Sequence, residues 1–241
     1  MRIRHLIPAL LATGLLLTAC TGSSDSSDPD SSTSSGRSGS SADLQGRLTD
    51  AKTALDDAET ISIKLATKSV PDGVTGLLSA DGKANHSPAF EGKVTAVTGG
   101  ASFDADVIAV GGKVYAKTGF LPDFTPIDPA SLKAPDPASL LATDGGITQI
   151  LQQTDDLEED GQSRDGKDVL TTIKGRLPGS VVSAIIPSAA ADDTFTVAYR
   201  LDDDNTLRDV TMAGEFYPGS GKLTYTVTLE TSDTPVTVTA P

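Results

Sequence analysis

Along two long stretches of this chain apolar residues recur at every second position, and that period fixes most of what the chain can become. Phe103, Ala105, Val107 and Ala109 share one side of a segment whose other side carries Asp104 and Asp106. Ile61, Ile63 and Leu65 alternate with Ser62 and Lys64 in the same way. A period of two belongs to a half-buried strand. Further strands are predicted over 77–83, 89–97, 102–110 and 113–117. Gly99-Gly100 and Gly111-Gly112 form the turns between the last three. Another strand is predicted over 168–175, and a second set starts at Phe195, Val197, Tyr199 and Leu201. It continues through Val210, Met212 and Phe216, then Leu223, Tyr225, Val227 and Leu229, with Val236 to Val238 closing the chain. Each strand has one wet and one apolar face, as in an antiparallel sheet covered on one side.

Helices supply the cover. Asp43 is the predicted N-cap of a helix running to about Ala58, with Leu44, Leu48, Ala51 and Leu55 as its apolar stripe. A short helix is expected at Asp136-Pro137. Another follows Gly145 and carries Ile147, Ile150 and Leu151. A third spans 178–186, with Val181, Val182, Ile185 and Ile186 on its apolar side. The fold class is α+β: a curved antiparallel β-sheet with helices on its concave face. The chain has no Trp and few aromatics, so its interior is built from small aliphatic side chains. Such an interior is either a solid core or the lining of an apolar cavity, and composition leaves both open.

Residues 119–137 break the alternation with five prolines, so no regular strand or helix is expected there. Phe120, Leu121, Phe124, Ile127 and Leu132 sit inside this stretch. They are expected to pack over the core, or to form a flap at the mouth of a cavity.

Cys20 is the only cysteine, and it ends the run Leu17-Thr18-Ala19-Cys20. Before it stand Arg2, Arg4 and an apolar stretch too short to anchor stably in a bilayer, the layout of a signal peptide. Small residues ahead of a cysteine resemble a bacterial lipobox. The resemblance implies removal of residues 1–19, acylation of Cys20, and a cell-membrane anchor on the extracytoplasmic side. Residues 20–42 are rich in Ser, Gly, Asp and Thr and read as a flexible tether, with an r.m.s. span of about 26 Å. Residues 43–241 form the folded domain. With one cysteine there is no intrachain disulfide, so the domain rests on its core alone.

Loss of Arg2 and Arg4 takes the net charge of −14 to −16. Such acidity argues against nucleic acid as a partner and against electrostatic attraction to anionic lipid. The chain past residue 19 holds one histidine, His86, in Asn85-His86-Ser87-Pro88, expected as a solvent-facing turn residue. No catalytic residues are assigned. No metal site is expected, because transition metals usually need two or more His or Cys ligands. Asp156, Glu158, Asp160 and Gly161 follow the opening of a calcium loop, but Lys167 stands where the bidentate Glu belongs. The stretch 155–161 therefore reads as a solvated acidic turn. No phosphate-cradling glycine loop appears and no cofactor is expected. With no chemistry assigned, the chain reads as a binding or carrier protein, the alternatives being an interaction lipoprotein with a solid core and an enzyme working through carboxylates alone.

Three stretches carry a family resemblance: SFDADVIAVGGKVYAK (102–117), DPASLLATDGGITQIL (136–151) and EDGQSRDGKDVLTTIKGRLPGSVVSAIIP (159–187). In these, and in the order lipobox, tether, helix and meander, the chain resembles the mycobacterial LppX/LprA/LprF/LprG lipoproteins, most nearly LprG. The resemblance implies a half-barrel whose helices enclose an apolar cavity. Its cargo would be a triacylated glycolipid or triacylglycerol-type lipid, with an efflux-type membrane transporter as a possible partner and no bond made or broken. Face assignment together with the resemblance places Val94, Ala96, Phe103, Ala105, Val107, Ile147, Ile150, Leu151, Val181, Val182 and Ile185 on the cavity lining.

Overall fold

Residues 39–132, 134–143 and 146–241 are described by a computed structural model. Cys20, the signal segment and nearly all of the tether lie outside the described residues. The strands are β1 (Thr60–Thr67), β2 (Gly76–Asn85), β3 (Ala89–Thr98), β4 (Ala101–Val110), β5 (Lys113–Thr118) and β6 (Leu121–Ile127), then β7 (Asp155–Asp165), β8 (Asp168–Pro178), β9 (Thr194–Leu201), β10 (Leu207–Gly214) and β11 (Leu223–Ser232). They form one open antiparallel sheet in the order β6-β5-β4-β3-β2-β1-β11-β10-β9-β8-β7. Two meanders are thus joined where β1 pairs with β11. The hairpins at Gly99-Gly100 and Gly111-Gly112 have two-residue turns with positive φ at both positions, a conformation glycine adopts without strain.

Helix α1 (Ser41–Asp56) starts earlier than expected. Ser40 is its N-cap, and Asp43 is the partner three residues on that returns a bond to the Ser40 N–H. Such a reciprocal box satisfies two free backbone donors, and the hydroxyl takes the capping role expected of Asp43. Leu44, Leu48, Ala51 and Leu55 are its buried stripe. Near its N-terminal end, Arg47 donates to Asn205 Oδ1 at 2.7 Å and to the Asp202 carbonyl at 3.2 Å. At its other end the Leu55 carbonyl meets His86. α1 therefore crosses one end of the sheet, from the β9–β10 turn to the β2–β3 turn. His86 sits in the expected turn, but its ring is turned inward.

Helix α2 (Gly179–Ile185) packs on β8 and β9. The helices expected near 136 and after Gly145 are single 3₁₀ turns, Ser139–Leu141 and Ile147–Leu151. Asp136 does cap, accepting the Ala138 N–H at 2.9 Å. The segment Val236–Val238 forms no strand.

Two stretches expected to be irregular are the sheet's edges. β6 runs through the proline-rich segment and carries Pro122 and Pro126. An edge strand tolerates proline because its outward N–H needs no partner in the sheet. The apolar residues of that segment are mostly not packed over the core: Phe120 is 89% exposed and Leu132 54%. β7 incorporates the acidic stretch 155–161, including Asp156 at φ 53° beside a break in register. Charges along an outer edge also hinder edge-to-edge pairing with another sheet.

Candidate functional site

The apolar face of the sheet is covered unevenly. Over β8, β9 and β10 it is sealed: Ile173, Leu177, Phe195, Tyr199 and Leu201 are fully buried. Tyr199 fixes the Ile147–Leu151 turn there, its hydroxyl 2.6 Å from Thr154 Oγ1 and donating to the Ile150 carbonyl at 3.3 Å. Burial pushes the Tyr199 phenol well above its ordinary range.

Over β1 to β5 the same face is sealed only toward α1. There Ile61, Ala84, Phe90, Ala109 and Val114 form one buried row across the strands. The ring of Phe90 lies over Gly82 and Gly92. A Cβ on Gly82 would come within 2.6 Å of Phe90 Cζ, and one on Gly92 within 2.7 Å. Further from α1 the rows open. Val227, Leu65, Ala80, Val94, Ala105 and Thr118 stand side by side in register. All of these but Ala105 are only half-buried. Leu77, Ala96 and Phe103 make the next row, again half-buried. The result is an apolar strip of about two rows with incomplete cover.

A tyrosine pair closes one side of the strip. Tyr217 and Tyr225 meet through their hydroxyls at 3.0 Å. Leu77 N–H donates to Tyr217, and Tyr225 donates to the Leu77 carbonyl. Burial, with the neighbouring Tyr217, raises the Tyr225 phenol far above its ordinary value.

The expected lining residues fall into two groups. Val94, Ala96 and Phe103 lie in the half-buried strip, and Ala105 and Val107 are buried beside it. Ile150, Leu151 and Val182 are buried under the second half of the sheet, with Ile147, Val181 and Ile185 half-buried around them. α2 packs against the Ile147–Leu151 turn, which brings the second group together. Both groups belong to one apolar cluster, except Ala96 and Phe103, which stand beyond it. Sequence reading did not list Leu65, Leu77, Ala80 and Val227 in the strip. Alternation marks Leu65 and Val227, but Leu77 and Ala80 share a face only through the slip in register between Leu77 and Ser79.

A depression of about 650 Å³ occurs on β1 to β5, but on the opposite face. Its walls are Lys64, Asp81, Lys93, Asp106 and Lys117 on one side and Ser79, Thr95 and Asp104 on the other, and the backbone row of Leu65, Ala80, Val94, Ala105 and Thr118 runs between them. Register places the first five in a single row of alternating charge across five strands. Lys93 Nζ lies 3.3 Å from Asp106 Oδ1, and Thr95 Oγ1 donates to Asp104 at 2.7 Å. Charged and hydroxyl side chains rim this trough. Among the described residues no cluster of three His, Cys, Asp or Glu side chains is placed to hold a metal ion.

The model of the LppX_LprAFG lipoprotein family matches residues 43–240. The chain belongs to that family. Among solved structures it is similar to LprF from Mycobacterium bovis, with a TM-score of 0.65 and 16% identity over 83% of this chain and 98% of that one. It is also similar to the lipoprotein LppX of Mycobacterium tuberculosis, with a TM-score of 0.59 and 20% identity over 83% of this chain and 100% of that one. At these identities the two structures establish the fold. No match was found among curated proteins.

Proposed function

We propose that this lipoprotein binds acylated lipid on the inner face of its sheet and carries it through the cell envelope, tethered by an acylated Cys20. The observation that supports this most is the half-buried strip through Leu65, Ala80, Val94 and Val227, next to a fully sealed half of the same sheet. Burial of an acyl chain gains about 0.8 kcal/mol per CH₂, so a smooth aliphatic surface needs few polar contacts to hold one. Cargo of the triacylated glycolipid or triacylglycerol class supplies several chains to lie across parallel rows. The helices would complete the apolar enclosure around them. Cys20 and the tether would hold the domain on the extracytoplasmic side of the cell membrane. An efflux-type transporter fits as the partner for onward transfer. The reading assigns no chemistry to the protein.

The test is mass spectrometry of lipids extracted from the domain beginning at Gly39, which keeps the Ser40 cap, purified from a mycobacterial host. A multi-acyl lipid at one per protein is the expected result. A stably folded, lipid-free domain would reject carriage and favour an interaction lipoprotein with a solid core.

A further inference from the structure

Four large apolar side chains are strongly exposed among the described residues, and all fall within one short segment. Phe120 is 89% exposed, Leu121 52%, Ile127 36% and Leu132 54%. Phe120 completes the Gly119-Phe120 turn between β5 and β6, and Leu121 opens β6. Thr118 Oγ1 accepts the backbone N–H of both, at 3.3 and 3.2 Å. The Thr118 side chain thus holds the turn, and the phenyl ring stays exposed.

The turn's position gives it meaning. The β2–β3 and β4–β5 turns lie at the end of the sheet that α1 crosses, so the β5–β6 turn lies at the opposite end. Thr118, which holds the turn, ends the row Leu65–Ala80–Val94–Ala105–Thr118 of the apolar strip. The exposed pair therefore stands at the end of that strip.

We infer that the Phe120–Leu121 turn dips into the surface of the bilayer that anchors the chain, bringing the end of the apolar strip to the lipid. This rests on the proposed lipid-carrying function. Three observations select a bilayer as the occupant. First, the chain outside the described residues includes Cys20, whose lipobox context implies an acyl anchor about 20 residues before α1. A tether of that length, with an r.m.s. span of about 26 Å, keeps the domain near the headgroups. Second, β6 is poorly made for pairing with a strand of a second copy. Pro126 lies opposite Tyr115 in register and Pro122 sits near the turn, so neither offers an N–H to an added strand. Third, Lys117 Nζ stands 5.8 Å over the Phe124 ring on the same hairpin, an aromatic–cation pair suited to the headgroup layer. The net charge of −16 from Cys20 onward opposes attraction to anionic lipid, so the contact is an apolar one.

The chain has no Trp and a single cysteine, which makes the test direct. The chain from Cys20 onward is coupled through that thiol to a maleimide lipid in phosphatidylcholine vesicles, so the outcome does not depend on natural acylation. Phe120→Trp introduces the only indole. Its emission is expected to shift to the blue and to be quenched when brominated phosphatidylcholine is included. Ser163→Trp, on the opposite edge strand β7, is expected to remain unquenched. Equal, unquenched emission from both would overturn the inference. A blue shift without bromine quenching would assign the turn to a second copy and overturn it equally. Lipid extraction from Phe120→Ser/Leu121→Ser chains separates the two readings. Quenching of Phe120→Trp with no cargo in any chain rejects carriage alone. Full cargo in the double variant with no quenching of Phe120→Trp rejects docking alone.

Discussion

The hydroxyl groups of Tyr217 and Tyr225 lie 3.0 Å apart, and together they satisfy both backbone groups of Leu77. The bonds run in one direction: Leu77 N–H to Tyr217, Tyr217 to Tyr225, Tyr225 to the Leu77 carbonyl. Leu77 is where β2 slips register against β3, so its backbone would otherwise lack part of its sheet pairing. The β10–β11 turn is thereby clamped to β2. Tyr225→Phe removes the central hydroxyl and leaves the Leu77 carbonyl unpaired. The expected loss is about 1–3 kcal/mol, lowering Tm by several degrees. A thermal melt of Tyr225→Phe that overlays the parent would show that the clamp carries no weight.

The same burial makes the domain sensitive to alkali. Tyr199 and Tyr225 both have phenols raised well above the ordinary value of 10.0. Below pH 10 both are neutral whether the chain is folded or unfolded, and they contribute no pH dependence. Above it the unfolded chain releases their protons and the folded chain keeps them. Stability therefore falls as pH rises, by about 1.4 kcal/mol per pH unit for each such group. Urea unfolding at pH 9, 10 and 11 is the check. Tyr199→Phe is expected to make the decline shallower, and a decline just as steep in that variant would exclude Tyr199 as its source.

His86 straps two elements to the end of the sheet. Its Nε2 lies 2.9 Å from the Leu55 carbonyl at the end of α1, and its Nδ1 lies 2.9 Å from the Leu141 carbonyl. Both partners are acceptors. A neutral imidazole has one N–H and donates to one of these carbonyls, so His86→Ala removes that bond and the second contact and is expected to cost about 1 kcal/mol. Hydrogen exchange should then report faster opening of the last turn of α1 and of residues 139–141. Unchanged exchange in both would leave His86 a bystander.

Much of this architecture was legible in the sequence, and what was not has physical reasons. Nine strands announced themselves because one face of each meets an apolar layer. The edge strands did not: β7 has almost no buried side chain, and β6 contains prolines that only an edge can hold. Ser40 and Asp43 are both competent caps, so the helix start depended on which of two reciprocal partners the chain uses. Cover is not a local property either. The face of Val94 could be read from alternation, but its half-exposure follows from α2 packing on β8 and β9 rather than on β3. The alternating charges from Lys64 to Lys117 come from five separate strands, and no sequence window contains them.

Val94 offers the sharpest test of which face receives lipid. It stands in the strip between Ala80 and Ala105, two small neighbours that leave room for a larger ring. Val94→Trp would lay an indole across the strip without invading the buried row at Phe90. The domain is expected to stay folded, and cargo per protein to fall severalfold. Lys93→Trp is the matched control. It adds the same ring one residue away, but register turns it to the charged outer face beside Asp81 and Asp106. Cargo should be unaffected there. If both variants fold and both retain full cargo, the strip is not the lipid site. If Lys93→Trp alone loses cargo, the polar trough is the site and the face assignment is reversed.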